Sequence, residues 1–223
     1  MQAWPRTLPF AMFIVGLAAE SLLDFLGARW SGLLPIQTWS YPIRTLLVLA
    51  TLAIAWPFLS ELKQPAKGRA NLILSCLVGV FVFAIWITVG PLFRTGGNLP
   101  SSGAPWPNGE WQAGVWIAFR IFGAVALVPV IEEVFWRGYL MRRLDCADFA
   151  SLSPELVSRF AVVASSFVFA LAHRELLAAF VTGIIYAWLF QLTKNLWSAI
   201  AAHATTNLLL ATYVLYTGKY EFW

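Results

Sequence analysis

Long, unbroken runs of apolar residues dominate this chain, and short polar segments separate them. Crossing the hydrocarbon core of a bilayer takes a helix of about 20 mostly apolar residues. The runs are continuous rather than alternating, so they predict helices and not the strands of a membrane barrel. The prediction is an all-α bundle of about seven transmembrane helices, with six or eight as the neighbouring possibilities, and the seven runs are residues 8–27, 43–60, 71–90, 112–140, 159–175, 176–193 and 196–216.

Two parts of this pattern leave more than one topology open. The run at 112–140 is longer than a perpendicular span needs, so we expect it to tilt or to project from the membrane. Only Arg174 and Glu175 separate the fifth and sixth runs, which are compatible with two helices, a turn-linked hairpin or a re-entrant piece. No tandem repeat or linker divides the chain, so residues 1–223 are predicted to form a single transmembrane domain.

The composition indicates that lipid is the solvent of this chain. Of its 223 residues, 60% are hydrophobic and only 12% are charged, and the mean hydropathy is +0.72. Soluble domains carry about 25% charged residues. The formal net charge of +4 indicates basic loops that face anionic lipid, and nucleic acid is not an expected partner.

The basic residues are distributed unevenly between the two ends of the predicted helices. Lys63, Lys67 and Arg69 lie in one loop, and the segment at 142–159 carries three arginines on the same side of a seven-helix topology. The opposite side has mainly Arg29, Arg94, Arg174 and Lys219. The positive-inside rule then places the N-terminus and both basic loops in the cytoplasm, in a multi-pass cell (inner) membrane protein. We expect the active site to open to the cytoplasmic side.

Two adjacent carboxylates, Glu132 and Glu133, lie in the fourth apolar run, close to Arg137. A charge in the bilayer interior costs about 2.5–3.5 kcal/mol on insertion scales and usually faces a cavity or a partner. At about 100° per residue, the two glutamates point to different faces of one helix. Glu133 and Arg137 have the i, i+4 spacing of an ion pair with the acid first. The spacing therefore gives Glu133 and Arg137 a supporting role and leaves Glu132 as the candidate base. Pro129 is expected to kink the helix nearby.

The two histidines of the chain, His173 and His203, lie in later apolar runs. Burial disfavours the charged forms of carboxyl and imidazole groups, which moves both towards the range useful for proton transfer near neutral pH. Glu132 and His173 could therefore deprotonate a water held between them. His203 and Asn207, at i and i+4, share a helix face and can donate hydrogen bonds to an oxygen that develops negative charge. This pattern predicts hydrolytic acyl transfer with these four residues as catalytic candidates.

Counting residues gives a rough test of whether these groups meet at one depth. At about 1.5 Å per residue, Glu132 and His203 lie ~15 Å and ~14 Å from the basic ends of their helices. His173 lies ~21 Å from the start of its helix if that helix is straight. The first two depths agree, and His173 is deeper than both.

These residues resemble the CAAX prenyl protease family of intramembrane glutamic endopeptidases, also called the CPBP or Abi family. The family pattern is Glu-Glu-x-x-x-Arg, then Phe-x-x-x-His, then His-x-x-x-Asn or Asp, each on a transmembrane helix. The match spans roughly residues 112–210, and the matching residues are Glu132-Glu133…Arg137, Phe169…His173 and His203…Asn207.

The resemblance implies an intramembrane endopeptidase that hydrolyses a peptide bond of a peptide or protein substrate in or at the membrane. It implies that Glu132 and His173 activate water and that His203 and Asn207 form the oxyanion site. It also implies that the second glutamate and the arginine of the first motif support that motif. The motifs assign neither a particular substrate nor an oligomeric state.

A glutamate together with His173 and His203 is also a ligand set that zinc accepts. The resemblance favours a metal-free mechanism, and Asn207 suits an oxyanion donor better than a metal ligand. No cofactor is therefore expected, and zinc is the second choice. Two other functions stay open at this point: a non-catalytic immunity or scaffold protein of the same fold, and a proton-coupled transporter that uses Glu132 and the histidines as a relay.

Overall fold

The computed structural model describes residues 2–27, 34–64, 68–94, 106–107 and 109–222. Its α-helices are α1 (Trp4–Gly27), α2 (Leu34–Ala55), α3 (Gly68–Thr88), α4 (Glu110–Phe122), α5 (Val128–Glu133), α6 (Met141–Asp145), α7 (Arg159–Leu171), α8 (Leu176–Thr193) and α9 (Leu196–Thr217). Two π-helical segments, Gly123–Leu127 and Val134–Leu140, join α4, α5 and α6 into one helix, Glu110–Asp145. The described residues thus form seven helices in space, and six of these are long and apolar enough to cross a membrane. This confirms the predicted all-α transmembrane bundle.

The fifth and sixth predicted helices are separate, and the fifth is shorter than the sequence suggested. Helix α7 ends at Leu171, and residues 172–175 form a turn before α8 begins. Its 13 residues span about 20 Å, less than the ~30 Å thickness of the hydrocarbon core. His173 therefore lies in the turn beyond the helix and not within it.

The outer surface of the bundle is apolar and the interior is closely packed. Large side chains such as Val15, Ile54 and Leu77 are about 60% exposed, at 61%, 62% and 62%, as expected for residues that contact lipid tails. Small residues allow the helices to approach each other closely. At Gly79 on α3, an added Cβ would lie 2.5 Å from the carbonyl oxygen of Ala202 on α9.

Charged residues mark the two ends of the bundle. At one end, Arg6 pairs with Glu61 at 2.6 Å and Lys194 with Glu155 at 2.6 Å. We call this the basic end, because Lys63 in the loop at 56–64 and the arginines that flank the loop at 146–158 also lie here. The other end, called the distal end, consists of the 172–175 turn, the 3₁₀ segment Gly90–Phe93 with Arg94, and the 3₁₀ segment Tyr220–Phe222. Arg29, Lys67 and most of the polar loop between α3 and α4 lie outside the described residues.

Candidate active site

A cavity of about 310 Å³ lies inside the bundle and reaches the distal end. All four residues predicted to be catalytic line it: Glu132, His173, His203 and Asn207. They come from α5, from the turn after α7 and from α9, so the fold brings three separate sequence motifs to one space. The cavity also receives side chains from α1, α2, α3 and α8.

A π-helical segment just before Pro129 shapes the helix that carries Glu132. Here the Val128 N–H donates to the carbonyl of Gly123, five residues earlier. The next donor in that register would be residue 129, paired with the carbonyl of Ala124, but proline has no N–H. The side chain of Asn207 takes its place, and Nδ2 donates to the Ala124 carbonyl at 2.7 Å. The proline thus leaves a carbonyl that positions a residue of the site.

Glu133 forms the centre of a buried network. Its Oε1 accepts from Arg137 Nη1 at 3.0 Å and from His203 Nδ1 at 2.9 Å, and its exposed fraction is 0%. Arg137 Nη2 also donates to the Gly183 carbonyl on α8 at 3.1 Å. The predicted Glu133–Arg137 ion pair is therefore present. The contact with His203 was not predicted, because it joins residues 70 positions apart.

Hydrogen-bond chemistry determines the tautomers of both histidines. A carbonyl or a carboxylate paired with arginine accepts but does not donate, so each Nδ1 must carry the proton. His203 Nδ1 donates to Glu133, and His173 Nδ1 donates to the carbonyl of Phe169 at 2.8 Å. In the neutral ring, each Nε2 then carries a lone pair. His203 can therefore donate from Nε2 only when both of its ring nitrogens carry a proton.

Glu132 and Glu133 each have a buried Oε2 to which no described residue donates, but Glu133 is paired through Oε1 and only Glu132 lines the cavity. The Glu132 side chain is buried. Within the described part of the chain, no group hydrogen-bonds to its buried Oε2. Buried polar atoms are almost always satisfied by protein or ordered water, so an exception of this kind points to a functional site.

His173 is held by aromatic rings on two sides. The ring of Phe169 lies 4.4 Å from it between centroids, and the ring of Trp86 lies 5.7 Å away in an edge-on arrangement. Phe169 is buried and also lies under the guanidinium of Arg137, at 4.8 Å from its centroid. It therefore contacts two motif residues, and its position in the family pattern was the sequence signal for that role.

Two polar residues of the cavity wall had no sequence signal of their own. The hydroxyl of Tyr186 donates to Thr206 Oγ1 at 2.7 Å, since Thr206 itself donates to the carbonyl of Gly79 at 2.8 Å. The Tyr186 ring packs against His203 with centroids 5.4 Å apart. The pair ties α8, α9 and α3 together beside the imidazole.

The cavity extends from the middle of the bundle towards the end opposite the basic loops. Its lining extends from Glu132 and His203 in the middle of the helices to Arg174 and Glu221 at the distal end. The cytoplasmic location of the basic loops and the cytoplasmic opening of the site both stay predictions.

Among residues 2–27, 34–64, 68–94 and 109–222, no three His, Cys, Asp or Glu side chains are grouped closely enough to hold a metal ion. Both histidines use Nδ1 for hydrogen bonds, and each has Nε2 left for a further partner. The expectation that no cofactor is required stays a prediction.

Fold and site together define a multi-pass α-helical membrane protein with an internal cavity lined by a carboxylate and two histidines. Residues 114–209 match the family model described as Type II CAAX prenyl endopeptidase Rce1-like, which confirms the resemblance carried by the three motifs. The match covers the composite helix, α7, α8 and most of α9, and it supports a CAAX protease-like membrane enzyme that acts on a peptide or protein at the membrane. Neither the curated proteins nor the solved structures provide a match to the chain.

Proposed function

We propose that this protein is an intramembrane endopeptidase in which Glu132 and His173 activate a water molecule. The observation that carries the proposal is the buried Oε2 of Glu132, to which no described residue donates, in a cavity that His173, His203 and Asn207 also line. A water between Glu132 and the Nε2 of His173 would satisfy both groups. It would also stand where a nucleophile is needed.

In the proposed reaction, the water gives a proton to Glu132 or to His173 Nε2, and its oxygen bonds to the carbonyl carbon of the peptide. The carbonyl electrons move to its oxygen, which becomes an oxyanion. Collapse of this intermediate breaks the C–N bond, and the stored proton passes to the leaving amine. The base thus returns to its starting form after each turnover.

The oxyanion would be stabilised by Asn207 and His203. One N–H of the Asn207 amide is used by Ala124, and the second is left to donate into the cavity. His203 would donate from Nε2 as an imidazolium, and the Glu133 carboxylate would offset that positive charge. Glu133 and Arg137 therefore support His203 in this mechanism, in addition to the first motif.

Purified protein in lipid nanodiscs, presented with a library of membrane-associated peptides, tests the proposal. Glu132→Gln and His203→Ala should each lower the cleavage rate by about 10²–10⁴-fold, the usual contribution of acid–base groups. Glu155→Gln at the basic end is the matched control and should cleave at the wild-type rate. If Glu132→Gln and His203→Ala remain folded and also cleave at that rate, the protease proposal fails.

The same preparation tests the metal question. Activity should survive exhaustive chelation, and elemental analysis of active protein should find no stoichiometric metal ion. Loss of activity on chelation, restored by Zn²⁺, would favour the zinc alternative, in which Glu132, His173 and His203 become ligands.

We further propose that the chain lies in the cell (inner) membrane with its basic end in the cytoplasm, as the positive-inside rule requires. The cavity is then reached from the opposite face of the membrane, or laterally from it. Single cysteines at Lys63 and Lys219, in a chain without Cys76 and Cys146, distinguish the orientations. In intact cells a membrane-impermeant maleimide should label Lys219→Cys but not Lys63→Cys, and the reverse result would restore the cytoplasmic opening expected from the sequence.

A further inference from the structure

We propose that Trp86 of α3 is a positioning residue for His173, and that Arg94, just beyond the same helix, holds the turn in which His173 lies. This inference rests on the proposed function. Helix α3 contains none of the three motifs and lies outside the matched residues 114–209. The two contacts described below nevertheless connect it to His173 and to the turn in which His173 lies.

The first connection is made by the indole of Trp86. The indole contacts the His173 ring edge-on, with an interplanar angle of 68°. The Phe169 ring contacts the same imidazole. The indole is itself fixed, because its Nε1–H donates to Oγ1 of Thr182 on α8 at 3.0 Å, and Thr182 is buried. A turn residue would otherwise be free to rotate about its side-chain bonds. With rings on two sides and Nδ1 bound to a carbonyl, His173 keeps Nε2 available to the cavity.

The second connection is an ion pair two residues after His173. Arg94 Nε donates to Glu175 Oε1 at 2.8 Å, and the two residues also form a backbone bridge. Both side chains are about nine-tenths buried, at 10% and 9% exposure. The turn therefore follows α7, and Glu175 at its end binds Arg94, just beyond α3, immediately before α8 begins. This gives Glu175, two residues after a candidate catalytic histidine, a structural role.

A misplacement of about 1 Å in a catalytic group can cost about 10²-fold in rate, so loosening His173 should affect turnover more than binding. We expect Trp86→Leu to lower kcat by about 10–100-fold with KM unchanged within about twofold. Trp86→Phe keeps a ring against His173 and should recover most of the activity. Thr182→Val and Arg94→Gln should lower kcat by about several-fold, since each removes one support. Trp188→Leu, on the lipid-exposed side of α8, is the matched control and should have no effect.

A second readout needs no protease activity. The chain has two histidines, so ¹⁵N NMR of histidine-labelled protein in nanodiscs gives two imidazoles, and His203→Gln assigns them. Wild-type His173 should show a single Nδ1–H tautomer, and Trp86→Leu should broaden it or mix the tautomers. The pH–rate profile of Trp86→Leu should also differ in shape from that of the wild type.

Three outcomes would overturn the inference: an unchanged kcat and unchanged His173 signals in Trp86→Leu, a raised KM alone, or a loss of activity in Trp188→Leu of equal size. If Trp86→Leu does not fold, Trp86→Phe and Thr182→Val carry the same test. Should wild type and Glu132→Gln cleave alike, the protease proposal fails, whereas the NMR measurement still decides whether Trp86 positions the ring.

Discussion

His203 and Glu133 are joined by a 2.9 Å hydrogen bond between Nδ1 and Oε1, although 70 residues separate them in the chain. The same carboxylate oxygen accepts from Arg137 at 3.0 Å. One oxygen therefore links the first and third motifs. Glu133 determines which nitrogen of His203 carries a proton, and Arg137 holds that carboxylate in place. The two adjacent glutamates consequently have different surroundings: Glu133 lies in a buried network, and Glu132 faces the cavity.

Glu132→Gln and Glu133→Gln should separate activity from stability. Glu133→Gln disrupts a buried ion pair and should lower the free energy of unfolding by about 3–5 kcal/mol, because a buried Arg137 is left uncompensated. Glu132→Gln removes a charge whose Oε2 has no donor among the described residues, so stability should stay the same or rise. Thermal melting in nanodiscs, alongside cleavage assays, measures both. Equal melting temperatures for the two variants would contradict this assignment.

Asn207→Ala should affect turnover more than folding. Loss of one oxyanion donor costs about 10²–10³-fold in kcat. Loss of the hydrogen bond to Ala124 should lower stability by about 1 kcal/mol. Steady-state kinetics of the variant decide the matter, and a change confined to KM would place Asn207 in substrate binding instead.

Gly183→Ala should destabilise the contact between α7 and α8. An added Cβ would lie 2.7 Å from the Ser166 Cβ and 2.9 Å from its Cα, so the helices must separate, at a cost of about 1–3 kcal/mol. The Gly183 carbonyl also accepts from Arg137, so activity should fall as well. Gly114→Ala is the matched control, since nothing lies within 4 Å of the added atom and alanine favours a helix by up to about 1 kcal/mol. Similar melting temperatures for the two variants would exclude this packing role.

The Glu155–Lys194 pair should make stability depend on pH at the basic end. The hydrogen bond from Lys194, together with one from Ser153, lowers the pKa of Glu155 from 4.5 to about 2. A carboxylate with a lowered folded-state pKa contributes stability above pH 4.5, and this contribution is lost as the pH falls towards 2. The effect is small and weakens with salt, because both groups are exposed to solvent. The melting temperature should be measured between pH 2 and 6 for the wild type and for Glu155→Gln, and the variant should lack the part of the pH dependence that comes from this pair. Identical pH profiles of the two proteins would rule out the contribution.

Sequence periodicity predicted the helices well wherever an apolar run was long and bounded by polar residues. The predicted helix at 176–193 has the observed bounds, Leu176–Thr193, and the third and seventh predicted helices differ by three residues or fewer. The end of α7 could not be predicted, because the apolar run continues past Leu171 to Arg174. The turn that follows is tied by Glu175 to Arg94, a contact across 81 residues that local sequence does not reveal.

The local spacing of the motifs was also informative for the site. Glu133 and Arg137 form the ion pair that their i, i+4 positions predicted. The same reasoning could not show that Glu133 also binds His203, or that Asn207 binds a carbonyl left by Pro129. It also missed Trp86 and Thr182, because an aromatic or hydroxyl residue in an apolar helix is indistinguishable from packing in the sequence.

By itself, the sequence determined the lipid solvent, the helical bundle, the three motifs and the ion pair within the first of them. These properties depend on composition and on residues within a few turns of one another. Only the tertiary structure decided which oxygen each histidine binds, which rings contact His173 and which residues line the cavity. These depend on how helices distant in sequence pack together, and on the side-chain hydrogen bonds that this packing completes.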